Sequence, residues 1–125
     1  MGHALILDDA QEWVEKYIAL LKETPYENHT ISGDLEDALR NARQNEYGLY
    51  VCDCDFPHKE GGIIKKGAFF LFYEELIKIH PNPNLVMLSN GVSNVQRAMR
   101  MGIDAFLKEK NLDEGKLVAR LKVAP

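Results

Sequence analysis

The run Gly48-Leu49-Tyr50-Val51-Cys52 is apolar and β-prone, ends in a carboxylate at Asp53, and is followed by a proline at Pro57. An uninterrupted apolar stretch of this kind has no polar face to turn toward water, so it reads as a parallel strand buried on both sides. An ionised group at the end of such a strand is costly unless something compensates it. A second apolar run, Ala4-Leu5-Ile6-Leu7, also ends in acid, at Asp8-Asp9. If the two runs are neighbours in one parallel sheet, both carboxyl ends lie on the edge where α/β folds place ligands. Carboxylates about 4 Å apart repel by roughly 4 kcal/mol per pair at an effective dielectric near 20. Function is the reason to keep such an arrangement, and a divalent cation is the simplest relief.

The rest of the chain alternates strand and helix signals. Leu5–Leu7 reads as the first strand, followed by an amphipathic helix over Ala10–Lys22 with Trp13, Val14, Tyr17, Ile18 and Leu21 on one side. Pro25 closes that unit. His29–Ile31 is a short second strand, and Ser32 or Asp34 caps a helix through Leu35, Ala38, Leu39 and Ala42. The strand ending at Asp53 is third. A helix over Gly67–His80 stops at Pro81, Leu85–Ser89 is the fourth strand, and Ser93–Met101 is a helix ended by Gly102. Ala105–Lys108 and Leu112–Val123 complete five βα units. This alternation implies an α/β fold, a doubly wound, flavodoxin-like (βα)5 sheet of five parallel strands. The order 2-1-3-4-5 sets strands one and three side by side, with the crevice at their carboxyl ends. One stretch breaks the regularity: 58–66 is long for a βα loop and contains Gly61-Gly62. It is either a lid or partner-contact loop, or a tolerated surface insertion.

Bulk properties narrow the functional classes. A chain of 125 residues suits one domain spanning 1–125, and 46% hydrophobic residues argue against disorder. The formal net charge of −4 argues against non-specific nucleic-acid binding. No apolar stretch reaches membrane-spanning length and the N-terminus does not resemble a signal peptide, so no membrane partner is expected. Cys52 and Cys54 stand two apart on one strand, too close for an ordinary disulfide, and read as packed thiols in a reduced, cytoplasmic setting. His3, His29, His58 and His80 lack metal-ligand spacing and read as surface residues. Trp13, Phe69, Phe70, Phe72 and Tyr73 read as core or helix-face residues.

Taken in order, Asp8-Asp9, Asp53 followed four residues later by Pro57, Ser89 at a strand end, and Gly102 before the fifth strand form a pattern that resembles the receiver domain of two-component response regulators. The resemblance covers essentially the whole chain. It implies that Asp53 is the phosphoacceptor, taking a phosphoryl group from a histidine kinase or phosphotransfer protein. It implies that Asp8 and Asp9 hold Mg²⁺ with Asp53, and that Asp55, two residues after the acceptor, lends its backbone carbonyl. An oxygen-rich site of this kind suits that ion. Ser89 would hydrogen-bond the phosphoryl group, and Phe106 stands at the family's aromatic switch position, together altering a surface read by a downstream protein. With no output domain apparent, the signal is expected to leave through a protein–protein surface.

The family's lysine is where the pattern departs. Counting forward from Gly102 in register with Phe106 lands on Glu109; counting back from Leu117-Val118-Ala119-Arg120-Leu121 lands on Lys110. Lys110 is the first choice for this position and Lys108 the second. A degenerate receiver acting only as an interaction module follows if neither reaches the site. A second resemblance comes from another class. Asp53-Cys54-Asp55 and Leu88-Ser89-Asn90 look like motifs of haloacid-dehalogenase-type phosphatases, with Asp53 as nucleophile and Asp55 as general acid/base. The chain is short for that fold, and its acidic pair precedes the nucleophile, which favours the receiver.

Overall fold

The computed structural model describes residues 2–108 and 112–123. The elements run β1 (His3–Leu7), α1 (Gln11–Leu21), β2 (Asn28–Ser32), α2 (Leu35–Gln44), β3 (Leu49–Asp53), β4 (Phe56–Pro57), β5 (Ile64–Lys65), α3 (Ala68–Ile79), β6 (Leu85–Ser89), α4 (Val92–Arg100), β7 (Asp104–Leu107) and α5 (Glu114–Leu121). Five strands form one parallel sheet in the order β2-β1-β3-β6-β7, the expected 2-1-3-4-5 arrangement of the core strands. No described helix is long and apolar enough to cross a membrane.

Strand alternation distributes the core between two layers. Leu5, Leu7, Tyr50, Cys52 and Met87 face α2, α3 and Ala98 of α4. Ala4, Ile6, Val51, Val86 and Leu88 face α1 and α5, through Val14, Tyr17, Leu117 and Leu121. The central strands are buried on both faces, which is why they read as continuous apolar runs. Asp34, rather than Ser32, caps α2, accepting from the Asp37 N–H at 2.8 Å. Ser32 instead closes β2 and accepts from Asn41 Nδ2 at 2.8 Å. Gly102 follows α4 at φ +82, the left-handed conformation that turns the chain back toward the sheet.

The irregular stretch after β3 is a two-stranded antiparallel ribbon. Phe56 pairs with Lys65 and Pro57 with Ile64. The ribbon is tied down at its root: Phe56 is fully buried, and the Glu36 N–H donates to the His58 carbonyl at 2.9 Å. Its tip is not, with Ile63 90% and Ile64 48% exposed.

His58 is exposed as expected, but two of the histidines depart from the surface reading. His3 and His80 are half-buried and engaged, His3 Nε2 with Thr30 Oγ1 and His80 Nε2 with the Ala42 carbonyl, each at 2.9 Å. Both sit at strand or helix ends, where a ring can pack while a nitrogen reaches a nearby polar group.

Candidate functional site

Register places the acids. Leu7 pairs with Cys52 across β1 and β3, so the next residues, Asp8 and Asp53, leave the sheet side by side. One carboxylate oxygen from each of Asp8, Asp9 and Asp53 lies within 4.8 Å of the others. Asp8 is buried, Asp53 half-buried and Asp9 exposed. Asp8 Oδ1 accepts from the Ala10 N–H at 2.9 Å, so it does help start α1, although Ala10 itself occupies the cap position. Asp8 Oδ2 accepts from the Tyr17 hydroxyl at 3.2 Å and from Lys108 Nζ at 3.0 Å. Asp53 Oδ1 accepts from the Cys54 N–H at 2.8 Å and faces Lys108 Nζ at 3.0 Å. Asp53 Oδ2 has no hydrogen-bond donor among the described residues.

Among the described residues, the lysine at this site is Lys108. It directly follows β7, and its backbone N–H donates to the Ser89 carbonyl at 3.0 Å, continuing the β6–β7 register in which Ser89 pairs with Leu107. Its side chain is 4% exposed and bridges Asp8 and Asp53. Lys110 and Glu109, the two positions reached by counting, lie outside the described residues.

Among the described residues one ammonium faces three carboxylates, which leaves two negative charges uncompensated. Burial first, and the neighbouring Asp8 charge second, push the Asp53 carboxyl up to about 6, outweighing the lowering effect of Lys108. Asp9 is also raised, by partial desolvation and then by Asp8. Burial, the Asp8 and Asp53 charges and the bond to Asp8 push the Tyr17 phenol upward. A divalent cation matches this deficit in sign and size. The carboxylates of Asp8, Asp9 and Asp53 offer it hard donors, as Mg²⁺ requires.

The other expected site residues divide. Ser89 is 2% exposed at the end of β6, one residue past Leu88, the register partner of Asp53, and its Oγ accepts from the Gly91 N–H at 3.0 Å. Phe106 lies on β7, partly buried against the α1/α5 layer. The Asp55 carboxylate turns away from the cluster. Its Oδ1 accepts from the Gly67 N–H at 2.7 Å, where Gly67 takes φ +71 at the start of α3. This engages one oxygen of the carboxylate that a phosphatase would need as acid/base. Cys52 and Cys54 are free and buried, and burial raises both thiols, Cys54 to about 12.

Two residues read from sequence only as helix-face packing belong to the site. Tyr17 is fully buried and spends its hydroxyl on Asp8. Trp13, one turn earlier on α1, lies with its ring 4.7 Å from Lys108 Nζ and 5.7 Å from the Tyr17 ring. Helical period put both on the core side; a hydroxyl on one and a cation beneath the other are what periodicity does not carry.

The sequence pattern described as the response regulator receiver domain matches residues 4–122. No curated protein matches the chain. Solved structures do. One is a CheY-like response regulator receiver domain protein from Methanospirillum hungatei JF-1, 19% identical with a TM-score of 0.72, covering 96% of this chain and 90% of that one. Another is a two component transcriptional regulator AraC from Clostridium phytofermentans ISDg, 17% identical with a TM-score of 0.74, covering 96% and 89%. A third is a response regulator protein from Burkholderia pseudomallei with a phosphorylated aspartic acid, calcium ion and citrate, 16% identical with a TM-score of 0.67, covering 97% and 66%. At these identities the structures speak for the fold.

Proposed function

The chain belongs to the response regulator receiver domain family, and from that premise we propose that Asp53 accepts a phosphoryl group in a two-component phosphorelay. The observation that carries the reading is the charge arrangement at Asp53: a strand-end carboxylate with one oxygen held by Lys108 and the Cys54 N–H and the other free. The free oxygen is the nucleophile. It forms the new bond to phosphorus as the bond to the donor, a phosphohistidine of a kinase or phosphotransfer protein, breaks and the electron pair leaves with the donor nitrogen. Such transfers need positioning and charge neutralisation rather than covalent help. Asp8, Asp9, Asp53 and the Asp55 carbonyl would hold Mg²⁺, which supplies charge neutralisation at the transferring oxygens. Lys108 neutralises what remains. The phosphorylated aspartate and calcium ion of the Burkholderia pseudomallei relative are consistent with this assignment.

Ser89 and Phe106 are the proposed route outward. A phosphoryl oxygen offers the Ser89 hydroxyl proton a charged acceptor, drawing the side chain away from the Gly91 N–H that now donates to its Oγ. Movement of Ser89 would let the Phe106 ring shift, changing the face made by α4, β7 and α5 that a downstream protein reads. The direct test is to add Mg²⁺ and acetyl phosphate and follow intact mass. A hydroxylamine-labile increase localised to Asp53 is the expected result. Steady hydrolysis of p-nitrophenyl phosphate without a labelled intermediate would favour a phosphatase instead. Failure to bind either Mg²⁺ or a beryllium fluoride phosphate mimic would leave an interaction module.

A further inference from the structure

We propose that Trp13 is a positioning residue for the phosphoryl site, its indole face holding the Lys108 ammonium between Asp8 and Asp53. The inference rests on the phosphoacceptor reading for its functional consequence and on geometry for its substance. A lysine ammonium has three N–H donors. Lys108 Nζ directs two of them at Asp8 Oδ2 and Asp53 Oδ1, each 3.0 Å away. The third direction meets the face of Trp13, whose ring centre is 4.7 Å from the nitrogen, well inside cation–π range. With the side chain 4% exposed, no water is needed to complete the set.

The alternative is that Trp13 merely packs. Packing alone does not account for where the ring sits. Trp13 is half-buried: it packs on the edge of the α1/α5 core layer and also sets its ring centre 4.7 Å from Lys108 Nζ, which core packing does not require. A second cation, Lys16 Nζ, lies 5.5 Å from the same ring, but it is farther away, partly solvated and paired with Glu114, so it contributes less. Lys108 is different because it is desolvated and its charge acts on the acceptor. Without the ring, four flexible methylenes would let the ammonium follow either carboxylate out of line. The indole restricts it to the position from which it neutralises a group on Asp53.

The test uses Trp13→Leu, Trp13→Phe, Lys16→Met and the pair Lys108→Met with and without Trp13→Leu. Ring-current shifts come first, because they need no activity. The Lys108 Cε protons should be shifted upfield in the parent and in Trp13→Phe, and should return to the random-coil position in Trp13→Leu. For labelling by acetyl phosphate with Mg²⁺, Trp13→Leu should slow uptake roughly two- to thirtyfold, the range set by cation–π strength. Trp13→Phe should recover most of that, and Lys16→Met should match the parent. In the Lys108→Met background, Trp13→Leu should add no further loss. An unshifted Lys108 in the parent overturns the proposal, as does an equal loss from Trp13→Leu with or without Lys108. If the shift behaves as stated but the parent takes up no label, the phosphoacceptor reading fails while the Trp13–Lys108 contact stands.

Discussion

The two ends of the parallel sheet treat polar groups in opposite ways. At the amino end, polar groups satisfy one another. Asn84 Nδ2 donates to the Gly48 carbonyl at 2.9 Å and to the Tyr26 hydroxyl at 3.1 Å, tying the start of β6 to that of β3. The Tyr47 N–H donates to the Tyr50 hydroxyl at 3.2 Å, and the two rings meet edge to face at 5.6 Å. At the carboxyl end, Asp8, Asp9 and Asp53 cluster with Lys108 bridging only the first and last, and Asp53 is pushed up to about 6. One end makes the fold cohere. The other holds charges together that folding alone would separate, which is the mark of a site kept for function.

Substitution at the two ends should therefore give opposite profiles, and the largest contrast is in activity. Asp53→Asn preserves shape but removes the nucleophilic charge, so uptake of phosphoryl groups from acetyl phosphate should fall to background. Asn84→Ala should leave the rate per folded molecule unchanged. Mass spectrometry of both variants under the same conditions decides it. Labelling of Asp53→Asn at the parent's rate would remove Asp53 from the role.

Stability should move the other way. The Asp53 carboxyl titrates near 6 when folded, against about 3.9 in an unfolded chain. The folded state binds the extra proton between those values, so stability from this group is complete below about pH 4 and declines as pH rises through 6. Two units correspond to about 3 kcal/mol. Without Mg²⁺, Asp53→Asn should be more stable than the parent at pH 7.5 by up to that amount, with the gap closing toward pH 4. Chemical denaturation across that pH range measures it. A gap that widens on acidification would contradict the raised carboxyl.

Asn84→Ala should cost about 1–3 kcal/mol, because it strips donors from the Gly48 carbonyl and the Tyr26 hydroxyl in a half-buried setting. The loss should be the same with and without Mg²⁺, as the amino end lies across the sheet from the acids. A loss that Mg²⁺ repairs would mean that the two ends of the sheet are coupled.

Legibility in sequence followed the same division. The sheet order and the pairing of Asp8 with Asp53 were readable because buried parallel strands announce themselves as apolar runs and their ends as acids. The ribbon after β3 was not, since each of its strands is two residues long and Phe56-Pro57 and Ile64-Lys65 carry no period. The lysine was ambiguous for a physical reason. Counts from Gly102 and from α5 reach different residues; the pairing of Ser89 with Leu107 ends β7 there, and the next residue, Lys108, reaches the acids. Tyr17 and Trp13 were placed on the correct face of α1 and credited with packing alone, because a side chain's apolar body sets its period while its polar edge sets its chemistry.

The smallest expected effect separates the three acids from one another. Asp8 is buried and bonded to Ala10, Tyr17 and Lys108, so its removal would confound structure with charge. Asp9 is exposed, and among the described residues no side chain is hydrogen-bonded to its carboxylate, so Asp9→Ala subtracts a charge and little else. Its carboxyl is raised by partial desolvation and by Asp8, so the ionised form costs stability at neutral pH, discounted by solvent screening to well under about 1 kcal/mol. Asp9→Ala should therefore raise the melting temperature by a few degrees at most without Mg²⁺. The same substitution removes a proposed metal oxygen, so the Mg²⁺-induced rise in melting temperature should shrink. The two shifts have opposite signs in one variant, which a simple helix-capping role does not produce. A variant that melts lower without Mg²⁺ and responds fully to it would make Asp9 a structural residue and confine the functional charges to Asp8 and Asp53.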